Sequence, residues 1–351
     1  MRRTPNLRIV PHARRWVVVS ALLVLLALGA LVGRGLELSL DFVGGSSFRV
    51  EGIAADVDAD DLRAAVEGAG ASEAVAQLSG IGDERAAIVR TESLEPDGAI
   101  AAAVRDALVQ LTGVDEVQET FVGPTWGERI TTQSLRALVV FLLVVAVYIS
   151  VRLDRKMAAV ALITMAHDVL ITVGIYALVG FSVSPATVVA VLTILGYSLY
   201  DTVVIFDRVK ENGHTLGEPG RRTVLELVNA SLNEVLYRSL NTTISSVLPV
   251  GALLFIGGSV LGATTLQDLA LALFVGMLAG AYSSVFVAGP LYAVWKAREP
   301  AEQRRIVKVE ARAAGASEEE AAAALDASYS GRAPITTDYV RGSGRRRRRR
   351  R

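Results

Sequence analysis

Two carboxylates stand inside long apolar stretches of this sequence: Asp201 between Pro185 and Phe206, and Asp168, preceded by His167, between Met157 and Val179. An ionisable group in hydrocarbon is costly unless it meets a partner or a water-filled path, so both positions are candidate proton sites. Asp201 lies in Gly196-Tyr-Ser-Leu-Tyr-Asp-Thr-Val-Val, with Ser198 and Thr202 as near neighbours on a helix. Desolvation favours the neutral acid and a nearby cation favours the carboxylate, so a group balanced between them can load and release one proton. Arg238, at the start of a later apolar stretch, is the expected cation. Arg208 competes for that role from two helical turns, about 10 Å, further along, and Asp207 beside it is expected to neutralise it. The alternative is that Asp201 is tied to a hydroxyl or a basic residue and only fixes helix packing. His167 and Asp168 read either as a second relay step or as a hydrogen-bonded tie between helices.

These residues need helices to hold them. The chain has 351 residues, 52% hydrophobic and formally neutral, a mixture that implies charges segregated between long apolar runs. The runs are 16–32, 135–151, 157–179, 185–206, 240–256 and 266–295, near the ~20 residues that cross a hydrocarbon core of ~30 Å. The sequence therefore predicts an α-helical polytopic membrane protein with six transmembrane helices. The fifth is diluted by Asn241, Thr242, Thr243, Ser245, Ser246 and Pro249, which neighbouring helices can accommodate. In the sixth, Gly276, Gly280 and Ser284 recur at every fourth position and offer a small face for close helix packing.

Charge sets the expected topology. Residues 1–15 carry Arg2, Arg3, Arg8, Arg14 and Arg15 without an acid; Arg152, Arg155 and Lys156 separate the second and third runs, whereas 180–184 and 257–265 carry no charge. By the positive-inside rule, the N-terminus, the loop 207–238 and the tail 296–351 are cytoplasmic. A cleaved signal peptide is the competing reading of the first run, but its loss would leave an odd number of spans.

Residues 33–130 are polar with an acidic excess, including Asp56, Asp58, Asp60, Asp61, Asp83, Glu84, Asp115, Glu116 and Glu119. The pattern predicts strand 46–51, helix 60–67, strands 74–78 and 86–91, helix 99–111 and strand 116–122. That βαββαβ order describes an α+β, ferredoxin-like domain on the extracytoplasmic side. Asp56, Asp58, Asp60 and Glu67 imitate calcium-loop spacing, but Asp61 stands where the sharp turn needs glycine, and Asp60 reads better as the cap of the next helix.

No metal and no cofactor are expected. The chain has no cysteine, and the Gly257-Gly258 run lacks the Lys-Ser/Thr of a phosphate-binding loop. Neither an enzymatic activity nor a nucleic-acid partner is expected. The tail is polar and ends in Arg345 to Arg351. A short helix near 317–325 aside, no packing is expected there, and the arginines serve as a topology signal or a contact for anionic membrane lipids.

Three stretches resemble the SecF family of protein-export membrane proteins, within the resistance-nodulation-division superfamily. They are Leu40-Asp-Phe-Val-Gly-Gly, GYSLYDTVVIFDRVKEN from Gly196 to Asn212, and LNEVLYRSLNTT from Leu232 to Thr243. Gly280-Ala-Tyr-Ser-Ser-Val-Phe-Val-Ala-Gly-Pro-Leu and Ala166-His-Asp extend the likeness over residues 40–295. The resemblance implies a half-transporter in the cytoplasmic membrane of a prokaryote that pairs with SecD, serves the SecYEG translocon and uses protons to help move secreted preproteins. It implies Asp201 and Arg238 as the proton-coupling pair, which moves Arg238 ahead of Arg208. Asp41, Gly44 and Gly45 carry over as a hinge or docking element, the glycines allowing backbone geometry closed to other residues. Two other classes stay open: an exporter of small molecules or lipids, marked by twelve spans in one chain, and a translocon scaffold without proton chemistry.

Overall fold

The computed structural model describes residues 5–54, 56–79, 85–114, 116–215, 222–257 and 264–313. Two compact units form, one of residues 36–140 with 181–188 and the other of the rest of the described chain.

The first unit is built on a four-stranded sheet. Its strands are β1 (Gly45–Glu51), β2 (Val75–Ser79), β3 (Ala86–Thr91) and β4 (Val117–Val122), ordered β2-β3-β1-β4 with every neighbouring pair antiparallel. Alternation along β1 buries Phe48 and Val50 and leaves Ser47 and Arg49 partly exposed. Leu62 and Val66 from one helix (Ala59–Gly68), and Val104 and Leu108 from another (Ala99–Thr112), complete the apolar core. Each such side chain contributes about 1.5–3 kcal/mol on burial. The first of these helices is capped by Asp58 and not by Asp60: the Asp58 side chain accepts from the Asp60 and Asp61 amides, and Asp61 returns a bond to the Asp58 amide. A cap must sit in extended backbone just before the first turn, and Asp58 does so.

Before β1, Leu40–Val43 form one helical turn that ends at Gly44, φ 75°, and Gly45, φ 130°. A side chain on Gly45 would come within 2.7 Å of the Thr91 carbonyl oxygen. The segment 37–39 and Val183 exchange backbone bonds: Ser39 N–H donates to Val183 O at 2.8 Å and Val183 N–H to Glu37 O at 2.7 Å.

The second unit is a helical bundle. In chain order its helices are called αA (Ala13–Arg34), αB (Pro124–Arg152), αC (Arg155–Val179), αD (Pro185–Thr215), αE (Val224–Ala252), αF (Thr264–Ser283), αG (Gly289–Ala297) and αH (Pro300–Ala313); αB and αD begin in the first unit. Among the described residues, six segments are long and apolar enough to cross a membrane, the sixth running through αF and αG. Half of the apolar window is buried in αC and in αF–αG but only 11% in αA and αB, so the former are the centre of the bundle. Glycine sets the approach distances. Gly174 of αC leaves no room for a side chain beside Ala27 of αA, and Gly289 of αG would bring one within 2.8 Å of Leu232 of αE.

Two expectations need correction. Most of 207–238 is helix, because αD continues to Thr215 and αE starts at Val224 behind a Thr223–Glu226 capping box. Charges at 226, 234 and 238 disguise a helix whose other face buries Val224, Leu227, Val228, Leu232 and Val235. Likewise αH occupies the start of the tail and buries Ile306 and Val309; two apolar residues three apart share one helical face. The expected helix at 317–325 and Arg345 to Arg351 lie outside the described residues.

Candidate functional site

Asp201 projects from αD and is 7% exposed. Its Oδ2 accepts a hydrogen bond from Ser239 Oγ of αE. Arg238, the residue before Ser239, is close enough for its charge to act on the carboxylate, yet its Nη2 donates to Tyr200 Oη at 3.0 Å and no ion pair joins it to Asp201 among the described residues. The carboxylate is thus held by one neutral donor beside a cation that has another partner.

Arg208 does not compete. Its guanidinium donates to Glu234 at 2.5 Å and Glu211 at 2.6 Å, and Asp207, which pairs with Arg152 at 2.8 Å, does not neutralise it. Two turns of helix put Arg208 beyond hydrogen-bond reach of Asp201.

Asp168 is fully buried on αC. Its Oδ2 accepts from Ser198 of αD at 2.5 Å and from Ser283 of αF at 2.7 Å, and its Oδ1 lies 3.0 Å from His167 Nδ1. The other imidazole nitrogen, Nε2, is buried and has no hydrogen-bond partner among the described residues. Beside this cluster, Gly276 packs against Ile194, a side chain on Gly280 would come within 2.9 Å of Ser198 Cβ, and Ser284 Oγ lies 2.9 Å from Thr202 Oγ1. The small face of αF therefore receives αD.

Sequence reasoning missed Ser239, Tyr200 and Ser283 as partners. It also missed Asn229 and Asn233 on αE, whose side chains bind the backbone of Leu7 and Val10 at 2.7–3.0 Å. Only the adjacency of Ser239 to Arg238 hinted at any of this. Near the ends of αC and αG, Glu299 bonds Lys156 at 2.8 Å and Lys296 at 2.7 Å, and these ammonium groups hold its carboxyl below the usual glutamate range.

Six apolar helices among the described residues, with the carboxylates of Asp168 and Asp201 buried among them, and a separate α/β unit define a multi-pass membrane protein. Residues 98–298 match the family described as protein export membrane protein SecD/SecF, C-terminal. The chain is 40% identical over 326 residues to protein translocase subunit SecF of Streptomyces coelicolor, covering 91% of this chain and 86% of that one. With SecF of Mycobacterium tuberculosis it shares 38% identity, covering 84% and 68%. A crystal structure of SecDF from Thermus thermophilus superposes with a TM-score of 0.73 at 33% identity, covering 84% of this chain and 39% of that one; the chain spans about two fifths of that longer protein. The chain belongs to the SecF family of Sec protein-export subunits, relatives named as translocase subunits and not as catalytic enzymes.

Proposed function

We propose that this chain is the SecF half of a two-chain machine that pairs with SecD at the SecYEG translocon and uses the proton gradient to promote late movement of secreted preproteins. The observation that carries the reading is Asp201: buried in a membrane-spanning helix, it is held by one serine, with Arg238 nearby but bonded elsewhere. Taking up a proton weakens its attraction to Arg238 and lets αD and αE shift. One charge crossing the membrane is worth about 2.3 kcal/mol per 100 mV, enough to bias states a few kcal/mol apart.

The pairing with SecD is supported by two facts. The Thermus relative is named SecDF, and this chain spans 40% of it. Tyr200 of αD and Tyr237, Leu240, Ile244 and Leu248 of αE are also exposed, as is Arg238, and an arginine head group facing lipid is costly. The arginine-rich segments support cytoplasmic termini in the cytoplasmic membrane, with Arg345 to Arg351 available to anionic lipids. The first unit is then an extracytoplasmic, ferredoxin-like domain, a reading supported by its βαββαβ order and antiparallel sheet. Asp41, Gly44 and Gly45 serve as its hinge.

The test is preprotein export in vesicles energised by a proton gradient. Asp201→Asn should abolish the stimulation while the complex still assembles; undiminished stimulation would remove proton coupling and favour a scaffold.

A further inference from the structure

A helix carrying a proton site is free to rotate about its own axis unless contacts stop it, and αD has two stops that flank Asp201. Ser198, three residues earlier, is bonded to Asp168, whose same oxygen accepts from Ser283. Thr202, one residue later, meets Ser284, and the Ser284 hydroxyl also donates to the Ser198 carbonyl at 3.3 Å. At about 100° per residue, Ser198 and Thr202 point within about 40° of each other, and Asp201 lies about 60° to the far side of Ser198. Pinning the first two toward αC and αF therefore turns Asp201 toward αE, where Ser239 meets it.

The same contacts form a poor proton route. Ser198 Oγ is directed to Asp168, whereas the Thr202–Ser284 pair continues to the Ser198 backbone oxygen. The hydroxyls thus form no continuous chain from Asp168 to Asp201 among the described hydrogen bonds.

We propose that Asp168 is a positioning residue: its carboxylate bolts αC, αD and αF into one body, fixes the rotation of αD that keeps Asp201 facing αE, and carries no transported proton. The proposal rests on the proton-coupling reading of Asp201. Its consequence is that αE, with Ser239 and Arg238, supplies the motion.

The experiment measures proton-driven export across a pH series in vesicles containing the full chain in its native complex. Asp168→Asn keeps an acceptor oxygen for both serines, so stimulation should stay within about twofold of the parent with an unchanged pH midpoint. Asp168→Leu removes every acceptor and should lose at least about tenfold. Because the chain has no cysteine, Ile194→Cys with Gly276→Cys can tie αD to αF by a disulfide where the two side chains would meet. That bond should restore the Asp168→Leu variant and a reductant should undo the rescue, which no proton carrier would allow. The proposal is overturned if Asp168→Asn abolishes stimulation or moves its pH midpoint, if Asp168→Leu is silent, or if the disulfide gives no rescue. Should the leucine variant fail to accumulate, Asp168→Asn decides alone, since positioning requires it to work. Asp201→Asn run alongside separates the two readings: stimulation that survives it refutes proton coupling itself, whereas loss in both asparagine variants refutes positioning by Asp168.

Discussion

Asp168 and Asp201 are both buried carboxylates on neighbouring helices, yet their surroundings differ in kind. Hydroxyls from two other helices and the adjacent imidazole surround Asp168. Asp201 has one hydroxyl and a nearby arginine that is bonded to Tyr200. Burial alone therefore does not make a proton site. A group that must change charge needs few fixed donors and a cation with somewhere else to go, whereas one surrounded by donors serves as a joint.

The contrast breaks most severely at the joint. Gly276→Val would drive a branched side chain into Ile194, and overpacking of this kind costs about 1–3 kcal/mol or more. Thermal unfolding in detergent should fall by several degrees; unchanged stability would mean that αD and αF are not packed through this face. On the poised side, Arg238→Met should reduce proton-driven export about tenfold or more, and Arg238→Lys only a few-fold, because the bond to Tyr200 is one that an ammonium can also make. Equal harm from both would demand guanidinium geometry that a single bond to Tyr200 does not explain.

The smallest effect is expected at Glu299, whose carboxyl is held low by Lys156 and Lys296. A carboxyl with a lowered folded pKa adds stability above its unfolded pKa, and that contribution is lost as pH falls through the folded value. Parent and Glu299→Gln should thus differ slightly at neutral pH and converge in acid; a constant gap would show that charge is not the cause. Partly exposed ion pairs of this kind are weak.

What the sequence made legible was mainly local. The expected strand 86–91 and β3 have the same limits, because alternation is written into the strand itself. Apolar length likewise marked all six membrane-capable segments. The start of αE was hidden because its charges occupy one face of an amphipathic helix, which composition cannot distinguish from a loop. The partners of the carboxylates were hidden for another reason: Ser198, Ser239 and Ser283 come from helices far apart in sequence, and no spacing rule links a hydroxyl on one helix to an acid on another. Asn229 and Asn233 bind backbone more than two hundred residues away, and such pairing leaves no local trace.

The claim that Asp201 takes up and releases a proton is tested most directly by infrared difference spectroscopy of membranes containing the complex, with and without an imposed proton gradient. A carbonyl band of protonated aspartic acid should appear with the gradient, vanish in Asp201→Asn and persist in Asp168→Asn. A band that survives Asp201→Asn, or disappears with Asp168→Asn, would contradict it.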